Sequence, residues 1–213
     1  MSEGYEILTL DEVETASHRG STLIPVRHRL GFKATGVNAW KADAGGQLIP
    51  PHKENSGNEE LYAVVRGRAR FTIGEEDAEA PAGTLVFLPP EVFRTAVAAE
   101  DDTIVFAVGG TVGKAFDSGG WDSFALAHTY RQAGRVDDAK AIVDATIAEK
   151  PGHWGVHYNA GCLESLADNA DAALEHLRRA KELDTDGESA QYFREDSDLD
   201  PLRDDPRFQE LLA

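Results

Sequence analysis

A histidine, two glutamates and an arginine are spaced as if to meet in one interior site: His52, Glu54, Glu60 and Arg94. Five residues separate Gly46 from His52, and six separate Glu60 from Gly67. A second run, Gly83-Thr84-Leu85-Val86-Phe87-Leu88-Pro89-Pro90-Glu91, leads to Arg94. One imidazole and two carboxylates are donors that suit Fe(II), Mn(II), Ni(II) or Zn(II). Arg94 opposes that chemistry, because a guanidinium has five N–H donors and no lone pair. The alternative is that the cation has replaced the metal, forking onto Glu60 or Glu54 and neutralising a buried carboxylate. The expectation is therefore a site with no cofactor, and the rival is a divalent transition metal on His52, Glu54 and Glu60. Trp40, His52, Glu60, Tyr62, Phe71 and Arg94 are the candidates to line a small-molecule pocket, where the arginine would suit an anionic ligand.

Other candidate chemistry is thin. Cys162 follows Gly161 on a helical pattern and reads as core. His153 and His157, four apart, form a weak metal pair with no third ligand in sight. His18, His28, His128 and His176 are scattered. Gly109-Gly110 and Gly119-Gly120 lack the Lys-Ser/Thr context of a phosphate loop, and no Ser-His-Asp set can be assigned. Arg66, Arg68 and Arg70 alternate along one strand and read as a solvated or dimer-facing edge.

The elements that must hold these residues change near residue 115. Before it, short runs rich in Val, Phe, Ile and Thr at 35–40, 61–65, 69–73, 84–88 and 103–108 predict strands between Gly, Pro and acidic breaks. After Gly120, apolar residues at helical spacing predict helices over 121–133, 136–149, 153–167 and 170–183. A shift of 34 residues carries Leu126, Ala127, Tyr130, Ala139 and Val143 onto Ala160, Gly161, Glu164, Ala173 and Leu177. Small residues at Ala127/Gly161 and Ala139/Ala173 would let paired helices approach closely. Asp200-Pro201 and Asp205-Pro206 each place a capping residue before a proline, predicting short helices there. Phe208, Leu211 and Leu212 would then cap the stack.

The spacings from Gly46 to Arg94, with the flanking EELYAVVRGRARFTI and APAGTLVFLPP, resemble the two motifs of the cupin family over the first 115 residues. Glu54 and Arg94 stand where that family usually has histidines, and the gap before Glu60 is one residue longer than usual. The resemblance implies a jelly-roll β-barrel at 1–115. Residues 121–185 resemble a pair of tetratricopeptide repeats, which implies an α-helical repeat domain over 120–213 that contacts a protein partner. The combination is similar to bacterial cupin–tetratricopeptide fusions of unsettled activity.

Composition bounds the partners. The 213 residues carry a net charge of −17, with a sequence pI near 4.7. That disfavours nucleic acid and anionic membrane, which need clustered Lys and Arg. No apolar run approaches the ~20 residues of a bilayer span. One cysteine and an acidic N-terminus without a signal pattern fit a cytoplasmic protein. A homodimer is expected, with the strands of the barrel forming most of its interface. The functional expectation is a small-molecule binding or scaffold protein with a degenerate metal site. The rival is a metal-dependent isomerase or dioxygenase.

Overall fold

The structure is a computed structural model; it describes residues 6–54, 57–116, 118–185, 187 and 189–212. The chain divides into two compact units, Met1–Asp117 and Ser118–Ala213.

Among the described residues, the first unit holds ten strands. They are β1 (Ala16–His18), β2 (Ser21–Ile24), β3 (Gly36–Ala42), β4 (Gln47–His52), β5 (Glu59–Arg66), β6 (Arg68–Ile73), β7 (Glu76–Pro81), β8 (Leu85–Leu88), β9 (Arg94–Ala98) and β10 (Thr103–Gly110). A short helix, α1 (Val26–Leu30), follows β2. The strands form a six-stranded sheet in the order β1-β2-β3-β10-β5-β8 and a four-stranded sheet in the order β4-β9-β6-β7. All pairings are antiparallel. The expected barrel is thus corrected to two open sheets. Proline explains part of this: β4 is an edge strand carrying Pro50 and Pro51, and β8 is an edge strand followed by Pro89 and Pro90. A proline has no N–H to offer a further strand.

Side-chain alternation sets the interior. On β5, Tyr62 and Val64 are buried, whereas Leu61 and Val65 are exposed. On β9, Arg94, Ala96 and Ala98 are buried. Tyr62 and Phe71 bring the two sheets together, with ring centroids 5.7 Å apart. The opposite face of β3 and β10 is covered by the N-terminal segment, where Val13 and Val26 pack with Val37, Ala39 and Ile104. Gly67, between β5 and β6, has φ of +68°, and a Cβ there would collide with Thr103. That accounts for the glycine of the first motif.

Five strands, including β4, β7 and β9, are absent from the strand runs read in the sequence. Prolines mask β4, and β7 is an acidic edge with Glu76, Asp77 and Glu79 exposed.

The second unit holds α2 (Trp121–Gln132), α3 (Val136–Glu149), α4 (Trp154–Ser165), α5 (Ala170–Leu183), α6 (Ser189–Glu195) and α7 (Pro206–Leu212). Helices α2 and α3 pack as one hairpin, α4 and α5 as another. Ala127 and Ala139 are buried in the first. In the second, Gly161 lies so close to Leu177 that a Cβ would sit 2.7 Å from Leu177 Cγ. Proline 206 opens α7, and the Asp205 carboxylate accepts from the Arg207 N–H at 2.8 Å. Proline 201 instead falls inside a 3-10 helix, Ser197–Leu202, whose cap is Asp196, accepting from Asp198 N at 3.0 Å. The earlier cap wins because Asp196 is four residues upstream and already starts the turn.

Phe208 is fully buried among Leu174, Leu177, Leu199 and Leu202, with Leu211 and Leu212 packed alongside. Phe208→Ala should therefore cost the helical unit about 3–5 kcal/mol. Denaturant unfolding followed by helical circular dichroism reads this directly. A loss below about 1 kcal/mol would mean that α7 does not carry the end of the stack.

Candidate functional site

Five side chains from two sheets and a loop meet between the inner faces. Glu60 and Tyr62 stand two apart on β5, so both point inward. Arg94 opens β9 and pairs in register with His52, the last residue of β4. Glu54 follows on the loop, its N–H donating to the Pro90 carbonyl at 3.1 Å. Glycine 109 lies opposite Glu60 on β10, and a Cβ there would come within 3.3 Å of Glu60 Cγ.

The Glu60 carboxylate is the centre. Its Oε2 accepts from the Tyr62 hydroxyl at 2.5 Å, and lies 3.3 Å from Arg94 Nε and 3.5 Å from His52 Nε2. His52 Nε2 is also 3.7 Å from Glu54 Oε1. The His52 ring is oriented from behind, where Nδ1 donates to the Pro50 carbonyl at 2.7 Å. That bond fixes the hydrogen on Nδ1 and turns Nε2 towards the two carboxylates. Glu54 is held in turn: the Asn58 side-chain amide donates to its Oε2 at 3.3 Å, and the Thr111 hydroxyl donates to Asn58 Oδ1 at 2.8 Å.

Arg94 is wholly inaccessible to solvent, while the side chains of His52, Glu54 and Glu60 are 25%, 22% and 17% exposed. Its Nη1 donates to the Pro90 carbonyl and its Nη2 to the Pro89 carbonyl, each at 3.0 Å. The remaining Nε is within ion-pair distance of Glu60, yet its N–H is not aimed to make a hydrogen bond. The contact is thus a charge pairing, and the directional bonds of the guanidinium go to the Pro89–Pro90 turn.

The electrostatics follow. Burial alone would lower the His52 pKa, but the bonds to Glu60 and the Pro50 carbonyl, with the charges of Glu60 and Glu54, raise it above its ordinary 6.5. Burial alone would raise Glu60, but the bonds from His52 and Tyr62, with the charges of His52 and Arg94, hold it below its ordinary 4.5. Burial and the neighbouring Glu60 carboxylate push the Tyr62 phenol far above its usual range.

The donors His52, Glu54 and Glu60 lie within 4.8 Å of one another. Their types and mutual distances fit a divalent cation, and the tautomer of His52 leaves Nε2 as the ligating nitrogen. The fixed charge of Arg94 beside Glu60 works against it. Of the other candidates, Tyr62 joins the cluster through Glu60, and Phe71 packs on Tyr62 as core. Trp40 is buried on β3 in register with Val105, and Val105 with Val64, so it sits four residues along the sheet from the level of Glu60. Arg66, Arg68 and Arg70 each meet surface carboxylates, namely Asp11 and Asp102, Glu100, and Glu79. Sequence reasoning missed Asn58, Thr111 and the carbonyls of Pro50, Pro89 and Pro90. Asn58 alone left a trace, two residues before Glu60 in strand period.

No family model matches the chain, and no curated protein matches it. Among solved structures it is similar to a cupin protein from Bacteroides fragilis at 20% identity, covering 55% of this chain and 92% of that one, with a TM-score of 0.42. It is similar to KdgF from Halomonas sp. at 22% identity, covering 49% and 93%, with a TM-score of 0.41. A sugar phosphate isomerase of the cupin superfamily from Silicibacter pomeroyi matches at 16% identity, covering 50% and 76%, with a TM-score of 0.42.

Two pH effects follow. A His52 pKa raised in the folded state contributes stability below pH 6.5 that is lost as pH rises through the raised value. A Glu60 pKa lowered in the folded state contributes stability above pH 4.5 that is lost as pH falls through the lowered value. NMR titration should find the His52 imidazole titrating above 6.5, and Glu54→Gln should move it down. An unmoved His52 would remove Glu54 from the cluster. Arg94→Ala should cost about 3–5 kcal/mol by stranding the half-buried Glu60 charge, read as a fall in the denaturant midpoint.

Proposed function

We propose that the N-terminal unit is a cupin-type binding domain whose metal centre has become a proton-holding cluster. The observation that carries this is His52 Nε2, which is turned onto two carboxylates by the Pro50 carbonyl. With a bare lone pair it would face two anions. A proton on Nε2, together with Arg94, balances Glu54 and Glu60 without a metal. The reading is a small-molecule binding or scaffold protein of the cytoplasm, with the helical hairpins, tetratricopeptide-like in pattern, offering a surface to a protein partner. Arg94 is turned inward onto backbone carbonyls, so the accessible polar groups favour an uncharged or cationic ligand over the anionic one that the sequence suggested.

A second reading has its own support, the convergence of three donors. His52, Glu54 and Glu60 would hold a divalent transition metal, supplying Lewis-acid or redox chemistry to an isomerase or dioxygenase. Elemental analysis of the purified protein separates the two. The first expects no transition metal held by the His52 cluster, so that any metal content of the wild type is unchanged in Glu60→Gln, and extra Zn(II) uptake by the Glu54→His/Arg94→His double variant, since imidazole is a usual zinc ligand. Stoichiometric metal in wild type that is lost in Glu60→Gln would replace the first reading by the second.

The homodimer is proposed through the outer face of β5 and β8. Leu61 lies opposite Phe87 there, and Leu61, Val65, Leu85 and Phe87 are all exposed. Phe87→Lys should shift light scattering from dimer to monomer. A wild-type monomer at micromolar concentration would end this proposal.

A further inference from the structure

The sequence suggested His153 and His157 as a pair, but the fold makes a different one. His153 is the N-cap of α4 and accepts the Gly155 N–H on its Nδ1 at 3.0 Å. His157, one turn on, instead faces His176 of the antiparallel α5, with Nδ1 to Nδ1 at 3.4 Å and ring centroids 5.7 Å apart. We propose that His157 and His176 form a binding site for a borderline transition-metal ion, Zn(II), Ni(II) or Cu(II), that bridges α4 and α5.

Three observations support it. First, His157 Nε2 lies 3.0 Å from the Pro151 carbonyl, which can only accept. The hydrogen is therefore on Nε2, and the Nδ1 lone pair is directed at His176. A ligating imidazole whose second nitrogen donates to a backbone carbonyl is the usual outer support of a metal-bound histidine. Second, the Nδ1–Nδ1 separation is 3.4 Å, at the long end of a hydrogen bond between the two rings. It matches the roughly 3.3 Å separating two nitrogens on a tetrahedral Zn(II) with Zn–N bonds near 2.0–2.1 Å. The rings meet nearly end-on, so both must tilt for their lone pairs to converge on one ion. Third, His157 is 9% exposed, and burial lowers the His176 pKa, which favours the neutral, ligating form. The Glu164 and Glu175 carboxylates act on His176 with a sign that favours a cation. Water completes the coordination shell.

This site is separate from the cluster at His52, and its test can be read separately. Full-length protein is titrated with Zn(II) at pH 7.5 while the histidine imidazole resonances are followed by NMR, assigned with His176→Gln and His157→Gln. The His157 and His176 signals should shift together and saturate at one equivalent. In His176→Gln the His157 response should need at least tenfold more zinc. His176 is the less buried of the two, so this variant should keep the fold, and its helical circular dichroism checks that. Signals that stay still through several equivalents of zinc would overturn the proposal. So would a His157 response of equal midpoint in wild type and His176→Gln.

Discussion

One carboxylate sets the terms for the N-terminal unit. Glu60 is carried inward by the alternation of β5, and an ionised carboxylate between two sheets must be compensated. Tyr62, Arg94 and His52 converge on its Oε2 from three strands. Arg94 could not itself be buried without partners, and the Pro89–Pro90 turn supplies them through two carbonyls. His52 could not point at two anions without a cation or a proton, and the Pro50 carbonyl fixes the tautomer that makes this so. The arrangement is mutual. Removing any one member leaves another buried and unmatched.

Prolines have a second role beyond breaking strands. Pro50, Pro89 and Pro90 leave β4 and β8 as edges, so the sheets stay open where a barrel was expected. Having no N–H of their own, they still present carbonyls, and those carbonyls accept from His52, Arg94 and Glu54. The same residues that end the hydrogen-bonded ladders therefore build the outer support of the site.

Much of this was legible. The Gly46-to-Gly67 and Gly83-to-Arg94 spacings picked out His52, Glu54, Glu60 and Arg94, and the structure brings them together. The change of texture near residue 115 was also plain, because periods of 2 and 3.6 are hard to confuse over long stretches. Strands β4 and β7 were hidden because their residues, prolines and acids, are poor strand formers that only an edge tolerates. The backbone partners of Arg94 could not be read, since a carbonyl has no sequence signature. The pairing of His157 with His176 needs the crossing of two helices, which 19 residues of separation do not reveal. The cap at Asp196 was missed because Asp-Pro at 200–201 gave the stronger local signal.

The acidic edge strand β7 has a consequence for colloidal behaviour. Glu76, Asp77 and Glu79 line the free margin of the four-stranded sheet, and at neutral pH their charges repel a second margin of the same kind. Arg70 of β6 offsets the charge of Glu79, whereas the neutral Thr72 hydroxyl only donates to Asp77, so the repulsion falls mainly to Glu76 and Asp77. Sideways pairing of two molecules along this margin is thus opposed by a handful of surface acids at one border of the fold, independently of how firmly the interior holds together.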